Sequence, residues 1–306
     1  MSKIQLTAKI SNKRFNKTLW GYFFIAPAIL GLILFNFGPM LFSLGISFFK
    51  WDVVTPAEWI GAGNYSRLIK DPLVLKSLGV TAYYTLLTVP LTTIIGLLVA
   101  SLLNTKVKAM SVFRTIFYIP SIVPAVASSA LWMFLCNPMY GLLNTIIGYF
   151  GISPQNWIYD PVMVIPSLAV IAVWGSGNTV IIYLAGLQGI PGHLYESIEI
   201  DGGNAVHKFF NITVPMISPI IFYNVVMGVI GSMQTFTQAY VMTQGGPDNA
   251  SLFYVLLLYR TAFTNQEMGY ASAMAWILFI IVAILTFISF KSSNLWVFYE
   301  EGSKNG

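Results

Sequence analysis

The sequence predicts an all-α integral membrane protein with six transmembrane helices. Hydrophobic residues make up 56% of the 306 residues and charged residues only 9%, whereas a soluble globular domain carries roughly 25% charged residues. A chain so poor in charge cannot cover itself with a solvated surface, so lipid is its expected solvent. Six long runs without a charged residue are each long enough for a helix of about 20 residues, the length that crosses a bilayer.

The predicted helices lie on these runs, and several of them contain proline or glycine. In a membrane, neighbouring helices and polar side chains can satisfy the backbone groups that a proline frees. The predicted spans are 20–48, 79–103, 115–136, 163–187, 215–242 and 270–290. The third run continues to Tyr159, but the turn-forming residues 137–141 interrupt it. The apolar piece 142–150 is too short to cross, so we expect a surface or interfacial segment there.

The positions of lysine and arginine predict that both termini face the cytoplasm. With that orientation, five of the 16 basic residues lie outside and the other eleven inside, in agreement with the positive-inside rule. The five outer residues are Lys50, Arg67, Lys70, Lys76 and Arg260. The start of the chain imitates a signal peptide, but the cleavage-like triplet 26–28 comes early in an apolar run that continues past Phe37. We therefore predict a cytoplasmic tail over 1–19, a transmembrane domain over 20–290 and a second cytoplasmic tail over 291–306.

Composition and motifs argue against several classes of function. The net charge of +5 is explained by orientation, so it does not indicate nucleic acid. A single cysteine, Cys136, excludes an internal disulfide and a cysteine metal cluster. The chain has neither a G-x-x-x-x-G-K-[ST] motif to hold ATP phosphates nor an H-E-x-x-H motif. His193 and His207, fourteen positions apart in one loop, fit surface residues better than metal ligands. We expect no cofactor, no metal site and no catalytic residue.

The predicted helices contain no Asp, Glu, Lys, Arg or His. A proton- or sodium-coupled carrier usually keeps an ionisable group at mid-membrane, and so does an acidic intramembrane protease. Energy for transport is therefore expected to enter from another chain. Two alternatives are a stand-alone carrier or channel for a small polar solute, and a membrane-embedded enzyme or scaffold. An enzyme would need partners for the acidic cluster Glu196, Glu199 and Asp201, which lacks a matching histidine or metal-ligand set.

The loop between the fourth and fifth predicted helices, residues 188–214, has an unusual pattern. Apolar residues recur at helical spacing on both sides of a glycine pair, 202–203. These residues are Leu194, Ile198, Val206, Phe209 and Phe210. Because glycine permits a sharp bend, we predict two short amphipathic helices joined at a glycine elbow. A loop lying on lipid is the commoner explanation of such a pattern. The acidic charge weakens it, since an interfacial helix on the inner leaflet should be basic.

At this loop the sequence resembles the cytoplasmic signature of the inner-membrane permeases of binding-protein-dependent ABC importers. That signature reads E-A-A-x-x-x-G, then nine residues, then I-x-L-P. The matching positions are Glu196, Ser197, Ile198, Gly202, Ile212, Val214 and Pro215, with Asp201 before the glycine as in the usual D-G pair. Serine and isoleucine stand for the two alanines, Gly203 for a common alanine, and Val214 for leucine. The spacing is intact.

The resemblance covers nearly the whole chain. It is strongest to the carbohydrate type of this family, the maltose and glycerol-3-phosphate permeases, and within that type to the first of the two permease subunits. The segments that carry it are Phe113-Arg114-Thr115, Tyr118-Ile119-Pro120, Val123-Pro124, Asn137-Pro138, Gly141-Leu142-Leu143-Asn144, Thr243-Gln244-Gly245-Gly246-Pro247 and Gly269-Tyr270-Ala271-Ser272-Ala273. It implies the type I importer, or MetI-like, fold in the bacterial plasma membrane. It also implies a transport subunit rather than an enzyme.

Partners follow from the resemblance. They are a second, different permease, two cytoplasmic ATPase subunits and an extracytoplasmic solute-binding protein, with a sugar or oligosaccharide as cargo. The loop 188–214 would dock on the ATPase and transmit its motion. The residues expected to couple the two are Glu196, Ser197, Ile198, Asp201, Gly202 and Pro215. Asp201 could also be a helix N-cap or a turn residue.

Candidates for the solute route are polar residues within the predicted helices. A sugar needs hydrogen-bonding side chains and aromatic faces. Gln234 and Gln238 are four apart in the predicted fifth helix, hence on one face, with Thr235 beside them. Uncharged amides are costly to expose to lipid, but hydrogen bonding between helices explains them as well as a sugar site does. The resemblance favours the sugar site, because this helix contributes to it in maltose-type permeases. Weaker candidates are Ser121, Ser272 and Trp276.

Overall fold

The structure is a computed structural model that describes residues 20–105 and 107–298. The predicted tail 1–19 and residues 299–306 lie outside the described residues. The helices are α1 (Trp20–Ile46), α2 (Gly63–Lys70), α3 (Pro72–Leu103), α4 (Met110–Ile122), α5 (Ala125–Leu135), α6 (Leu142–Gly148), α7 (Val164–Trp174), α8 (Gly177–Gln188), α9 (Gly192–Ile200), α10 (Ala205–Met216), α11 (Ser218–Met233), α12 (Tyr254–Tyr259) and α13 (Met268–Ser293).

Shorter elements connect these helices. Two two-residue strands, β1 (Phe49–Lys50) and β2 (Glu58–Trp59), pair antiparallel after α1. A 3₁₀ turn covers Trp157–Tyr159. Turns of π-helix occur at Ile33–Phe37, Phe209–Thr213, Ala239–Thr243 and Arg260–Thr264. The apolar piece after the third span forms only the seven-residue helix α6, which confirms that it does not cross a membrane.

By length and composition, the described residues hold three candidate membrane spans, and six, the predicted number, if each of three bent helix pairs counts as one span. Three are continuous helices: α1, α3 and α13. The other three are bent pairs, with angles of 100° between α4 and α5, 48° between α7 and α8, and 66° between α10 and α11. The prediction of single helices over 115–136, 163–187 and 215–242 is therefore wrong in detail, although each run does hold one span.

The sharpest bend has a clear chemical cause. Val123 ends α4 in an extended conformation, with ψ of 129°, and Pro124 follows it. Proline lacks a backbone N–H and disfavours helical geometry in the residue before it. By contrast, α3 runs through Pro90 without a break. The third span therefore turns at the Val-Pro step.

The second span starts earlier than predicted. The prediction began it at residue 79, after the last charged residue, but α3 begins at Pro72 and includes Lys76. The Asp71 carboxylate accepts a hydrogen bond of 2.9 Å from the backbone N–H of Leu73 and so caps the helix. Proline at the first helical position needs no hydrogen-bond partner. A cap, rather than the end of the charged residues, sets this boundary.

The described residues form two compact units. The first contains the residues up to Arg67 together with Thr261–Trp276, and the second contains Leu68–Arg260 and continues from Ile277. Within the second unit, α3 packs against α7, α8 and α11. Tyr183 of α8 is fully buried in that packing. This four-helix arrangement is the core of the larger unit.

We predict that Gly177→Ala destabilises the protein. An added Cβ would overlap the Phe117 carbonyl oxygen and lie 3.0 Å from the Cα of Tyr118, so the backbones of α8 and α4 would have to separate. Overpacking of this kind costs about 1–3 kcal/mol. The apparent Tm in detergent should therefore fall by several degrees.

The matched control is Gly79→Ala in α3, where an added Cβ meets nothing within 4 Å. This change should leave the Tm unchanged or raise it, because alanine favours a helix by about 1 kcal/mol over glycine. Equal Tm values for the two variants would contradict the close packing of α8 on α4.

Candidate functional site

The loop between the fourth and fifth spans consists of two helices joined at glycines. The first is α9, and the second is the opening part of α10, from Ala205 onward. Between them lies Gly202, with a φ of +77°. The predicted pair of short helices with a glycine elbow is confirmed.

Hydrogen bonds show how the elbow is built. The N–H of Gly203 donates to the Ile198 carbonyl at 2.8 Å, and that of Gly202 donates to the Glu199 carbonyl at 3.0 Å. This paired pattern, with a left-handed residue after the last turn, is the Schellman motif. A residue with a side chain costs roughly 1–2 kcal/mol in that conformation. The elbow therefore depends on Gly202 for its backbone angle.

Gly203 is needed for a different reason. Its φ is not in the left-handed region, but an added Cβ would overlap the Ile198 side chain and lie 3.0 Å from the Ile198 carbonyl oxygen. Ile198 itself is half-buried. The side chain of Ile198, one of the predicted coupling residues, therefore packs against Gly203 on the inside of the elbow.

The second helix of the loop is capped by a residue that sequence reasoning missed. The Asn204 side chain accepts hydrogen bonds of 3.0 Å from the N–H groups of Val206 and His207. In return, the Asn204 N–H donates to His207 Nδ1 at 3.4 Å. The suggestion that Asp201 is an N-cap is wrong, since it is the C-cap and turn residue after α9. The sequence signal for this cap was an asparagine three positions before His207, a residue whose side chain can accept a hydrogen bond.

Two side-chain contacts join α9 to α10 across the elbow. Lys208 forms a hydrogen-bonded ion pair with Glu199, and the hydroxyls of Tyr195 and Thr213 lie 3.1 Å apart. Exposed ion pairs contribute little to stability, so the glycine motif and the asparagine cap contribute more. Together these contacts make the loop a defined structural unit.

The outer surface of this unit combines carboxylates with apolar side chains. Glu196 and Asp201 are exposed, and Glu196 forms no ion pair with any described residue. Ile200, Val206 and Phe210 are 86%, 61% and 63% exposed. Exposed apolar side chains within a few residues of these carboxylates leave the loop able to contact another protein or lipid.

The two remaining predicted coupling residues are placed differently. Ser197 is exposed, and its hydroxyl donates to the His193 carbonyl at 3.0 Å within α9. Pro215 is half-buried in the last turn of α10, two residues before the bend at Ile217. Ser197 therefore shares the exposed face, whereas Pro215 lies where the loop joins the fifth span.

The argument that placed Gln234 and Gln238 on one helix face is wrong. The helix α11 ends at Met233, and helical turns resume only at residue 237. The end of α11 has the tighter hydrogen-bonding pattern of a 3₁₀ turn. The Gln234 N–H donates to the Gly231 carbonyl and the Thr235 N–H donates to the Ser232 carbonyl, both at 3.2 Å. The four-residue spacing of the two glutamines thus carries no geometric information.

The exposures of these solute-route candidates differ. Gln234 is exposed, Gln238 is half-buried, and the Thr235 side chain faces the Tyr84 hydroxyl. In α4 the Ser121 hydroxyl donates to the carbonyl three residues back at 2.7 Å, so its proton is already used.

In the first unit, Ser272 and Trp276 are one turn apart on α13, and both are half-buried. Their spacing places them on one helix face.

The first unit also contains a cavity of about 380 Å³ beside the short strands, which sequence reasoning did not anticipate. Arg67 lies on its wall, 2.8 Å from Glu267 and 4.0 Å from the centre of the Tyr270 ring. Hydrogen bonds from the backbone and side chain of Thr55 hold the pKa of the Asp52 carboxyl, also on the wall, below its usual value. The wall is therefore charged and partly aromatic.

Comparison with known proteins gives consistent matches. A family model described as "Binding-protein-dependent transport system inner membrane component" matches residues 92–295. The probable ABC transporter permease protein YesP of Bacillus subtilis is 40% identical, covering 92% of this chain and 93% of that protein. The trehalose/maltose transport system permease protein MalF of Thermococcus litoralis is 31% identical, covering 94% and 96%.

A solved structure has the same fold. It is the crystal structure of a bacterial ABC transporter involved in the import of the acidic polysaccharide alginate. One chain of it aligns with a TM-score of 0.81 over 92% of this chain and 97% of its own length. The sequence identity is 20%, so the likeness concerns the fold alone.

We predict that Gly202→Pro loosens the elbow, whereas Gly202→Asn preserves it. Proline fixes φ near −65° and removes the N–H that donates to Glu199, whereas asparagine tolerates the left-handed conformation. Hydrogen exchange measured by mass spectrometry should rise over residues 192–210 in the proline variant only. A proline variant that exchanges like the parent would contradict the assigned role of this glycine.

Proposed function

Because this chain belongs to the family of binding-protein-dependent transport system inner membrane components, we propose that its 188–214 loop docks on a cytoplasmic ATPase. As a family member the chain is a permease subunit of an ABC importer, not an enzyme, and it has the predicted MetI-like fold. One observation carries the docking proposal. The loop is a pair of helices linked by side-chain contacts, and it presents carboxylates that pair with no described residue, together with exposed apolar side chains.

The chemistry of docking follows from the exposed face. A groove on the ATPase would cover Ile200, Val206 and Phe210, and burial of apolar surface contributes about 25 cal/mol per Å². At the rim of the groove, Glu196 would pair with a basic side chain in a charge-assisted hydrogen bond. Asp201, exposed at the elbow, would add a second acceptor. We assign Glu196, Ser197 and Asp201 to the contact itself.

Transmission to the membrane uses the bend after the loop. The chain continues from α10 through Ile217 into α11, with a bend of 66°. If ATP-driven closure of two ATPase subunits moves the loop as one body, rotation at this bend tilts the fifth span and switches the pathway between inward-open and outward-open states. Gly202 and Ile198 keep the elbow angle, and Pro215 belongs to the moving end of α10.

This function requires the loop to face the cytoplasm. We propose the corresponding topology, with both termini inside, 1–19 and 291–306 as tails, and 20–290 as the membrane domain. The excess of lysine and arginine in the inner segments supports it. With an even number of spans, both termini lie on the same side.

We further propose that the permease works with a second, different permease and an extracytoplasmic solute-binding protein, and that its cargo is a sugar or oligosaccharide. The carbohydrate named for the Thermococcus litoralis relative supports this class of cargo. Residues proposed along the route are Ser121, Gln234, Thr235, Gln238, Ser272 and Trp276. Family membership does not favour a stand-alone carrier or channel.

The test is to co-express the tagged chain with its neighbouring genes, reconstitute the complex in nanodiscs, and measure ATP hydrolysis with sugar-loaded binding protein. In the parent complex the loaded binding protein should stimulate hydrolysis. Glu196→Ala should lower that stimulation at least about tenfold, because loss of one charge-assisted contact is worth about 1.4 kcal/mol or more. Glu199→Ala, which removes a carboxylate of the same helix that already pairs with Lys208, is the matched control and should change the stimulation little, because an exposed ion pair contributes little.

Two outcomes would contradict the proposal. One is full stimulation in both Glu196→Ala and Gly202→Pro. The other is a chain that purifies without an ATPase and still moves solute into ATP-free liposomes.

A further inference from the structure

The last residues that the structure describes, 294–298, fold back from the end of α13 onto the bend between α10 and α11. The segment leaves α13 at Ser293 through a turn, in which the Val297 N–H donates to the Ser293 carbonyl at 2.8 Å. It ends at Phe298, beside Ser218, the first residue of α11. Phe298 and Ser218 are 80 positions apart in sequence, so this contact joins the end of the sixth span to the start of the fifth.

One side chain connects three parts of the chain at this bend. The Ser218 hydroxyl donates to the Pro215 carbonyl of α10 at 2.6 Å and accepts from the Phe298 backbone N–H at 2.8 Å. A hydroxyl has one proton and two lone pairs, so both hydrogen bonds form at the same time. Hydrogen bonds in such a chain polarise and strengthen one another. The segment is therefore linked to α10 as well as to α11.

An aromatic contact lies one turn further along α11. The buried Phe222 ring lies edge-on to the ring of Phe290 in α13, with centroids 5.0 Å apart, and to the ring of Trp296, at 6.1 Å. Both distances fall within the range in which edge-to-face rings attract. Ser218 and Phe222 are four residues apart, hence on one helix face. Residues 294–298 thus contact one face of the first turns of α11.

The bend that the segment contacts is the one through which the 188–214 loop is proposed to move the fifth span. The helices α10 and α11 meet there at an angle of 66°. A change in this angle moves α10 relative to α11, and the Ser218 hydroxyl cannot stay bonded to Pro215 and to Phe298 unless the segment moves as well. The contact therefore opposes motion at the bend.

The contact can open at a small cost in free energy. Phe298 and Trp296 are 52% and 43% exposed, so water can take the place of Ser218 at the Phe298 N–H. Ser218 is buried, but its hydroxyl keeps its bond to the Pro215 carbonyl. Exchange of a hydrogen bond within the protein for one to water has a small net free energy. The segment can thus detach while α11 and α13 stay packed.

We propose that residues 294–298 form a C-terminal latch, which holds the bend at its present angle and opens when the ATPase subunits close. The inference rests on the proposed function and adds a restraint to its coupling step. Without the binding protein, the latch raises the cost of moving the loop and so limits ATP hydrolysis that transports nothing. The loaded binding protein offsets this cost, because its binding favours the state in which the latch is open.

The test compares two substitutions at one position in the reconstituted complex. Phe298→Pro removes the N–H that donates to Ser218, whereas Phe298→Ala keeps it and is the matched control. Phe298→Pro should raise ATP hydrolysis without binding protein about fivefold, the order expected for loss of one net hydrogen bond. Hydrolysis with sugar-loaded binding protein should stay at the parent rate. Phe298→Ala should match the parent under both conditions.

A double-mutant cycle assigns the effect to this one hydrogen bond. Ser218→Ala removes the acceptor, so it should also raise hydrolysis without binding protein. Adding Phe298→Pro to Ser218→Ala should raise it no further, because the bond is already gone. A general structural defect would instead lower hydrolysis both with and without binding protein.

The outcomes separate the latch from the proposed function. A parent complex whose hydrolysis does not rise with sugar-loaded binding protein overturns both. If the parent is stimulated and Phe298→Pro matches Phe298→Ala, only the latch is overturned. Additive effects of Ser218→Ala and Phe298→Pro also overturn it. So does loss of the ATPase or the second permease from Phe298→Pro, since the segment would then be a subunit contact.

Discussion

The bilayer supplies no hydrogen-bond partners to the backbone, and the architecture of this chain depends on that constraint. Each span must satisfy its own N–H and C=O groups, which is why the spans are built from helices. Where a span bends, side chains form hydrogen bonds with backbone groups beside the bend. At the bend between α10 and α11, the Ser218 hydroxyl donates to the Pro215 carbonyl at 2.6 Å and accepts from the Phe298 N–H at 2.8 Å.

A serine also forms a hydrogen bond with a backbone carbonyl at the bend between α7 and α8. There the Ser176 hydroxyl donates to the Val173 carbonyl at 2.6 Å. At both bends a serine hydroxyl thus satisfies a backbone carbonyl beside the break between the two helices.

Outside the lipid, different chemistry shapes the 188–214 loop. Water can satisfy its backbone, so its rigidity comes from the Schellman motif at Gly202, the Asn204 cap and the link between Tyr195 and Thr213. A stiff loop joined to a bending span is the arrangement that a lever requires. Among the described residues, the charged side chains that fall within candidate spans lie near the ends of those spans.

The sequence by itself determined what depends on composition and local chemistry. Low charge indicated the membrane, charge-free runs indicated six spans, and the glycine pair 202–203 indicated the elbow, because each signal lies within a few consecutive residues. The proposed coupling residues Glu196 and Gly202 could therefore be singled out from the sequence and its family resemblance. The start of α3 was missed because a helix cap at Asp71, not the charge of Lys76, sets it.

Only the tertiary structure decided which residues meet. The break after Met233 removed the shared face of Gln234 and Gln238, and no local pattern announced it. Likewise, polar residues of α3, α8 and α11, which are distant in sequence, line one cavity of about 210 Å³. They meet because those helices pack against one another, and such contacts between distant segments leave no periodic trace in the sequence.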